Sequence, residues 1–345
     1  MSPLTTTIIM SSLATGTIIT MSSHHWMMAW IGLELNTLAI IPTISKQHHP
    51  RATEAATKYF LTQAAASALI LFSSSINAWK TGTWDITQVT NPTANALLTS
   101  ALAMKLGLVP MHFWLPEVLQ GSTMKTALII STWQKLAPMA LIYLSMSNLS
   151  TTILLTMGAL SAALGGWAGL NQTQTRKIMA YSSIAHLGWM ITIATTLTNI
   201  TAAALLMYLF MTTSMFYALI SSKSKTIQDT TTSWSTSPTL MIMTMLTLLS
   251  LGGLPPLSGF MPKWLILEEL ITQNLLPMAT AIALSTLLSL FFYLRLTYTT
   301  TLTASPNTTP AKHKWRFKPS TPNLFLSTTI PMTTMALPLT PLITN

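Results

Sequence analysis

The chain has 345 residues, of which 50% are hydrophobic and only 7% charged, and its mean hydropathy is +0.51. Soluble proteins carry about 25% charged residues, so the composition points to a polytopic helical membrane protein. Cysteine is absent, which excludes thiol-ligated iron–sulfur clusters, thiol catalysis and disulfides on this chain.

Apolar runs of about 17–25 residues predict eleven spans, near residues 3–20, 24–44, 58–78, 95–118, 124–145, 149–170, 177–196, 200–222, 238–262, 275–298 and 323–343. Many span positions are Thr or Ser, which lipid tolerates because their hydroxyls bond back to the carbonyl one turn earlier. The N-terminal segment has neither the basic region nor the cleavage site of a signal peptide. After even-numbered spans fall Lys46, Arg51, Lys58, Lys125, Arg176, Lys177, Lys223, Lys225, Arg295, Lys312, Lys314, Arg316 and Lys318, thirteen of the 17 basic residues. After odd-numbered spans only Lys80 falls in a loop. Basic loops stay on the side from which insertion starts, so this alternation puts the N-terminus on that side and the C-terminus on the other. Topology control therefore accounts for the net charge of +10, and no nucleic-acid partner is expected.

Two spans are interrupted. In the fourth, MKLGLVPMHFWLPE (104–117), Pro110 has no N–H for the carbonyl of Leu106 and its ring crowds that carbonyl, so the helix breaks or kinks. Backbone freed at that depth survives only where protein or cavity water satisfies it. Lys105 stands beside the break, and a lysine near mid-span costs about 2.5–3.5 kcal/mol on insertion scales. In the ninth span, LGGLPPLSGFMPK (251–263) carries Gly252, Gly253, Pro255, Pro256 and Gly259, and Lys263 follows. The two broken spans are five apart, and a five-span unit repeated in tandem enters the membrane from the opposite face the second time. Interrupted helices at matching positions of inverted halves mark a transporter's midplane site. The expected architecture is all-α integral membrane: about eleven transmembrane helices in two inverted five-helix repeats, with helices 4 and 9 discontinuous, plus a C-terminal helix. The repeats would cover 1–147 and 148–298, with 299–345 a polar connection and the last helix.

The candidate site residues are the ionisable groups inside these spans. Glu34 sits near the middle of span two, and Lys105 is the expected partner that keeps it ionised. Lys135 lies mid-span in STWQKLAPM, with Pro138 loosening its helix one turn on. Lys263 belongs to the same set, although a slightly earlier span end would let it snorkel to the surface. His112 and His186 are the histidines within spans, and neutral imidazole suits a proton relay because it accepts and donates at once. Ser182 precedes His186 by four residues and shares its helix face. Two histidines so far apart, with no Cys or carboxylate at ligand spacing, give no metal site. No Gly-rich phosphate loop follows a strand, so no nucleotide site is expected.

With these residues in view, RATEAATKYF (51–60), MKLGLVPMHFWLPEV (104–118), GLNQTQTRKIMAYSSIAHLGWM (169–190) and LSLGGLPPLSGFMPKW (249–264) resemble the antiporter-like, proton-pumping membrane-arm subunits of NADH:ubiquinone oxidoreductase (respiratory complex I). The animal mitochondrial subunit 2 form is the one they look like, and it is similar in lacking the family's first three of fourteen spans. The resemblance implies proton translocation across the mitochondrial inner membrane, coupled to electron transfer from NADH to ubiquinone. Motif by motif, Glu34 takes the place of the first-half glutamate and Lys105 that of the lysine on its broken helix. Lys135 then takes the central lysine and Lys263 the lysine on the second broken helix. The resemblance also implies that FMN, iron–sulfur clusters and ubiquinone sit on other subunits, with no cofactor on this chain. Implied partners are other membrane-arm subunits, among them a neighbouring antiporter-like subunit and a small adjacent membrane subunit, and lipids such as cardiolipin. The implied orientation has the N-terminus in the matrix and the C-terminus in the intermembrane space. Two rival readings are a free-standing cation/proton antiporter and a structural membrane-arm subunit without its own proton path.

Overall fold

The computed structural model describes residues 2–194, 196–233, 237–302, 313 and 324–341. Its helices are α1 (Pro3–Ser22), α2 (Trp26–Ile44), α3 (Pro50–Thr81), α4 (Pro92–Leu106), α5 (Trp114–Gly121), α6 (Met124–Ser131), α7 (Trp133–Ser145) and α8 (Thr151–Gly169). They continue with α9 (Thr175–Ile193), α10 (Thr198–Ser222), α11 (Ile227–Thr232), α12 (Pro238–Gly252), α13 (Phe260–Thr272), α14 (Leu276–Leu302) and α15 (Leu324–Met335). Among the described residues there is no β-strand, only two isolated bridges, His25 with Asp85 and Gln174 with Thr226. Seven stretches are long and apolar enough to cross a membrane: α1, α2, α3, Met124–Ser145, α8, α10 and Leu276–Thr301. The basic residues assigned to the last connection, Lys312, Lys314, Arg316 and Lys318, lie outside the described residues, as does the end of the eleventh expected span.

Local chemistry explains where the helices start. Proline occupies the first helical position of α1, α3, α4 and α12, where its missing N–H costs nothing. Two histidines act as side-chain caps. His25 Nδ1 accepts from the Met27 N–H at 3.1 Å, and His49 Nδ1 from the Arg51 N–H at 3.2 Å. Because Pro50 and His49 start α3 early, Arg51 and Lys58 stand on its first turns rather than in a loop. The span hydroxyls bond as expected: Thr20 Oγ1 donates to the Thr17 carbonyl and Ser73 Oγ to that of Ile70, both at 2.8 Å.

The chain divides into two compact units, one comprising Met1–Ser161 with Ile191–Thr198, the other Ala162–Met190 with Asn199–Asn345. In the first unit α3 is the hub, packing against α2, α4 and α5, while α7 packs on α1, α2 and α4. α1 and α2 meet through glycines: a Cβ at Gly32 would stand 2.6 Å from Thr20 Cγ2 and 2.8 Å from the Gly16 carbonyl oxygen. That close approach, typical of small residues between membrane helices, fixes α2 and the polar side chains it carries. In the second unit α14 packs on α11, α12 and α13, and α15 packs on α12. Gly165 and Gly169 also sit at close helix contacts. A Cβ at Gly165 would lie 2.7 Å from the Ala185 backbone nitrogen on α9, and one at Gly169 2.9 Å from Phe292 Cδ1 on α14. α15 is held by Phe325, stacked on Tyr217 at 5.3 Å, and by a hydrogen bond from Ser258 Oγ to the Thr333 carbonyl.

Candidate functional site

The two interruptions share one local geometry. α4 ends on Gly107 (φ 79°, ψ 39°) and α12 on Gly253 (φ 77°, ψ 40°), left-handed conformations that glycine adopts without a Cβ penalty. Gly107 N–H reaches the carbonyls of Ala103 and Met104, and Leu108 N–H returns to Ala103 at 2.9 Å. Gly253 and Leu254 repeat that pattern onto Leu249 and Ser250. At the first break Trp114 Nε1 donates to the Met104 carbonyl at 3.1 Å, so a side chain from α5 supplies part of the lost ladder.

Lys105 lies in the last turn of α4 and is only 5% exposed. The negative end of the helix macrodipole favours an ammonium there. Its Nζ is buried and has no hydrogen-bond partner among the described residues, and the same holds for Glu34 Oε2, both amide atoms of Asn36 and Gln63 Nε2. Glu34 acts electrostatically on both Lys105 and Tyr59, yet Glu34 and Lys105 form no ion pair within 4.0 Å. A cavity of about 10 Å³ is lined by Asn36, Tyr59, Gln63, Lys105, Trp114, Gln134 and Pro138, among others. That is about the space one water requires, and polar atoms without partners are what such a water serves. Tyr59 Oη donates to Gln134 Oε1 at 3.3 Å, and Gln134 Nε2 to the Asn36 carbonyl at 3.4 Å. The expected ion pair between Glu34 and Lys105 is not formed: no contact within 4.0 Å joins the two side chains.

Lys135, 3% exposed, follows a break between α6 and α7 at Thr132 (φ −113°, ψ −70°). It is adjacent in sequence to Gln134, which lines the Lys105 cavity. Pro138 inside α7 leaves the Gln134 carbonyl without its helical donor. His112 is buried between α4 and α5, its ring 4.2 Å from that of Phe113, and its Nδ1 has no hydrogen-bond partner among the described residues. It is not among the residues lining that cavity.

In the second unit Lys263 lies on the first turn of α13 but reaches back, Nζ donating to the Gly252 carbonyl at 2.8 Å. The ammonium therefore sits at the C-terminal end of the first broken segment, as Lys105 does, although it follows its break in sequence. A Cβ at Gly253 would lie 2.8 Å from Nζ, so the lysine tail occupies the space that glycine leaves. Glu268 is exposed, and Glu269 accepts from Gln273 Nε2 at 2.6 Å. His186 Nε2 and Tyr293 Oη are 3.4 Å apart, and Tyr208 is tilted against the imidazole at 5.8 Å. Tyr59, Gln63, Gln134 and Tyr293 were not anticipated as site residues. The amides carried a signal, since an amide in mid-span is costly in hydrocarbon, but the tyrosines looked like ordinary core. Among the described residues no His, Cys, Asp or Glu cluster could hold a metal ion.

The NADH:quinone oxidoreductase/Mrp antiporter transmembrane family matches residues 23–289, and the NADH dehydrogenase subunit 2 C-terminal family matches 290–344. The NADH-ubiquinone oxidoreductase chain 2 of Varanus melinus is 57% identical over 345 residues, covering all of both chains. That of Xenopus laevis is 56% identical over 342 residues and 99% of each chain. A chain of respiratory complex I from Thermus thermophilus, solved with bound aureothin, superposes with a TM-score of 0.85 at 28% identity, over 96% of this chain and 77% of its own. An archaeal membrane-bound sulfane sulfur reductase chain shares the fold at 18% identity, with a TM-score of 0.80 over 97% of this chain and 74% of its own. The chain belongs to the NADH-ubiquinone oxidoreductase chain 2 family, the antiporter-like membrane subunits of complex I.

Proposed function

We propose that this chain translocates protons across the mitochondrial inner membrane as a membrane-arm subunit of complex I, driven by electron transfer from NADH to ubiquinone. What supports the reading is a buried Lys105 ammonium that lacks a hydrogen-bond partner at a helix break, within electrostatic range of an equally unpartnered Glu34 carboxylate oxygen. A charge pair at 4 Å and an effective dielectric near 20 interacts by about 4 kcal/mol. The two groups stand beyond 4.0 Å, so that figure bounds their attraction from above. It corresponds to about a thousandfold in proton affinity. Moving Glu34 relative to Lys105, or changing a neighbouring subunit's charge, therefore loads or releases the lysine's proton.

Lys105 and Lys135 carry the proton in the first half, with water in the amide-lined cavity as the carrier between side chains. Lys263 and His186 do so in the second, and His112 belongs to the relay as a residue of the first break. The two halves are the inverted repeats 1–147 and 148–298. The redox groups reside on other subunits. A neighbouring antiporter-like subunit, a small adjacent subunit and cardiolipin contact this chain, whose N-terminus faces the matrix.

The test is Lys105→Met in the assembled complex, with protons translocated per electron pair measured in membrane vesicles. The expected result is intact assembly with that ratio lowered. An unchanged ratio, above all when Lys135→Met is added, would leave the chain a structural member of the arm.

A further inference from the structure

In the second unit α14 has 27 residues, about 40 Å at 1.5 Å per residue, and so outreaches a hydrocarbon core of about 30 Å. With Leu276 at one boundary of that core, Arg295 lies about 28 Å along the axis, at the other boundary, where acyl chains meet headgroups. Its Nη1 donates to the Leu170 carbonyl, just beyond α8, at 2.7 Å, which pins the guanidinium in place. Among the described residues that is its one hydrogen bond and no carboxylate pairs with it, so four N–H donors are left. Arg295 lines a groove of about 650 Å³ between α12 and α14, walled by Met245, Leu249, Phe291 and Leu294 and bordered by Tyr298. Phe291 lies one turn deeper than Arg295 and Tyr298 one turn nearer the helix end, and both face outward, 58% and 63% exposed. The Thr175 N–H bonds to the Lys225 carbonyl and the Ile227 N–H to that of Thr173, which gathers Arg176, Lys177, Lys223 and Lys225 at the same end of this unit. Asp229 is there too, its carboxylate engaged by the Lys225 and Thr226 N–H groups.

We propose that this groove binds an anionic phospholipid, with the phosphate on Arg295 and an acyl chain along Leu294 and Phe291. The inference deepens the lipid contact proposed above by giving it a site, and it does not use the proton path. A guanidinium at the edge of the hydrocarbon is costly without a counter-ion, and a phosphate accepts two of its parallel N–H groups at once. Basic pockets between membrane helices hold anionic headgroups for this reason. The amphipathic ring of Tyr298 suits the headgroup level, while the walls below it offer only apolar contact. A zwitterionic lipid would fill the same groove, but its own cationic group would meet the basic residues gathered at that end. Net negative charge therefore decides the occupant. Free phosphate could reach Arg295 but would gain nothing from the apolar walls.

The experiment reconstitutes the assembled complex in phosphatidylcholine vesicles that carry a trace of photoactivatable phosphatidylglycerol or of photoactivatable phosphatidylcholine, the reactive group being on the acyl chain. Adducts on peptides from α12 and α14 are counted by mass spectrometry. Phosphatidylglycerol should label these peptides about tenfold more than phosphatidylcholine, and Arg295→Gln should remove that preference. Leu294→Trp, at a position 41% exposed, fills the groove and leaves the charge in place. It should lower labelling by both probes, and it serves if Arg295→Gln assembles poorly. Equal labelling by the two probes overturns the proposal, as does a preference that survives Arg295→Gln or labelling that survives Leu294→Trp. A map of the assembled complex with a protein segment seated in the groove overturns it too. None of these results touches the proton ratio of Lys105→Met, so loss of the lipid site leaves the function reading standing. An unchanged ratio in Lys105→Met removes the proton path and leaves the lipid site.

Discussion

Replacing Gly253 by alanine separates the role of the Lys263 seat from the role of the helix break, because Gly107 provides a matched control. Both glycines hold nearly the same left-handed conformation, φ 77° and 79°, so an alanine at either costs about 1–2 kcal/mol in backbone strain. The surroundings differ. At Gly107 the added Cβ would approach Leu115 Cδ1 at 3.2 Å and Trp114 Cζ2 at 3.4 Å, contacts that small side-chain shifts relieve. At Gly253 it would stand 2.8 Å from Lys263 Nζ and 2.9 Å from Cδ, and the flexible tail must leave the Gly252 carbonyl. Losing that charge-assisted hydrogen bond costs about a further 1.5–3 kcal/mol. The difference lowers occupancy of the ammonium seat by about one to two orders of magnitude. The assay compares assembly, NADH–ubiquinone electron transfer and protons per electron pair for the two variants in membrane vesicles. Both should assemble with similar modest losses, and only Gly253→Ala should lower the proton ratio. Equal ratios in the two would refute the placing of Lys263 at the end of α12 as functionally significant.

Trp114→Phe keeps an aromatic ring but removes one of the two donors to the Met104 carbonyl, which then retains only the Gly107 N–H at 3.2 Å. The expected cost is about 1 kcal/mol, read as faster hydrogen exchange at the end of α4. Asp229 closes a capping box at the start of α11, its Oδ2 accepting from the Lys225 and Thr226 N–H groups at 2.9 Å each. Those hydrogen bonds hold its carboxyl below the usual carboxylate value. The folded value is the lower one, so the stabilisation is complete above the ordinary aspartate range and fades as pH falls through the folded value. Asp229→Ala should cost about 1 kcal/mol at neutral pH, seen as increased exchange at residues 225–229, with the difference from the parent shrinking below about pH 4.

Punctuation and burial were legible in the sequence; convergence was not. Gly107 with Pro110, and Gly253 with Pro255 and Pro256, announce broken helices because glycine and proline act within a turn of where they stand. Lys105 and Lys135 were legible as interior because no loop could hold them. The positions of the side-chain tips were not. Lys263 follows its break in sequence, yet its amine returns to Gly252, eleven residues earlier, because a four-carbon stem spans a helix turn. Tyr59, Gln63 and Gln134 join the Lys105 cavity from α3 and α7, and Tyr293 meets His186 across 107 residues. Those meetings depend on how helices pack, which hydropathy and periodicity do not encode. Lys58, expected in a loop, instead pairs from α3 with Glu54 and with Glu117 of α5 at 2.6 Å, and ties the second part of the broken span to its neighbour.

The claim on which the proton path depends is that Glu34 and Lys105 communicate through water and not by contact. Ordered solvent in a high-resolution map of the assembled complex tests it directly. The account predicts at least one water within hydrogen-bonding distance of Lys105 Nζ, bound also by Asn36 or Gln63, on a path to Glu34. A dry, collapsed pocket around Lys105, or a direct Glu34–Lys105 ion pair in every state of turnover, would contradict it.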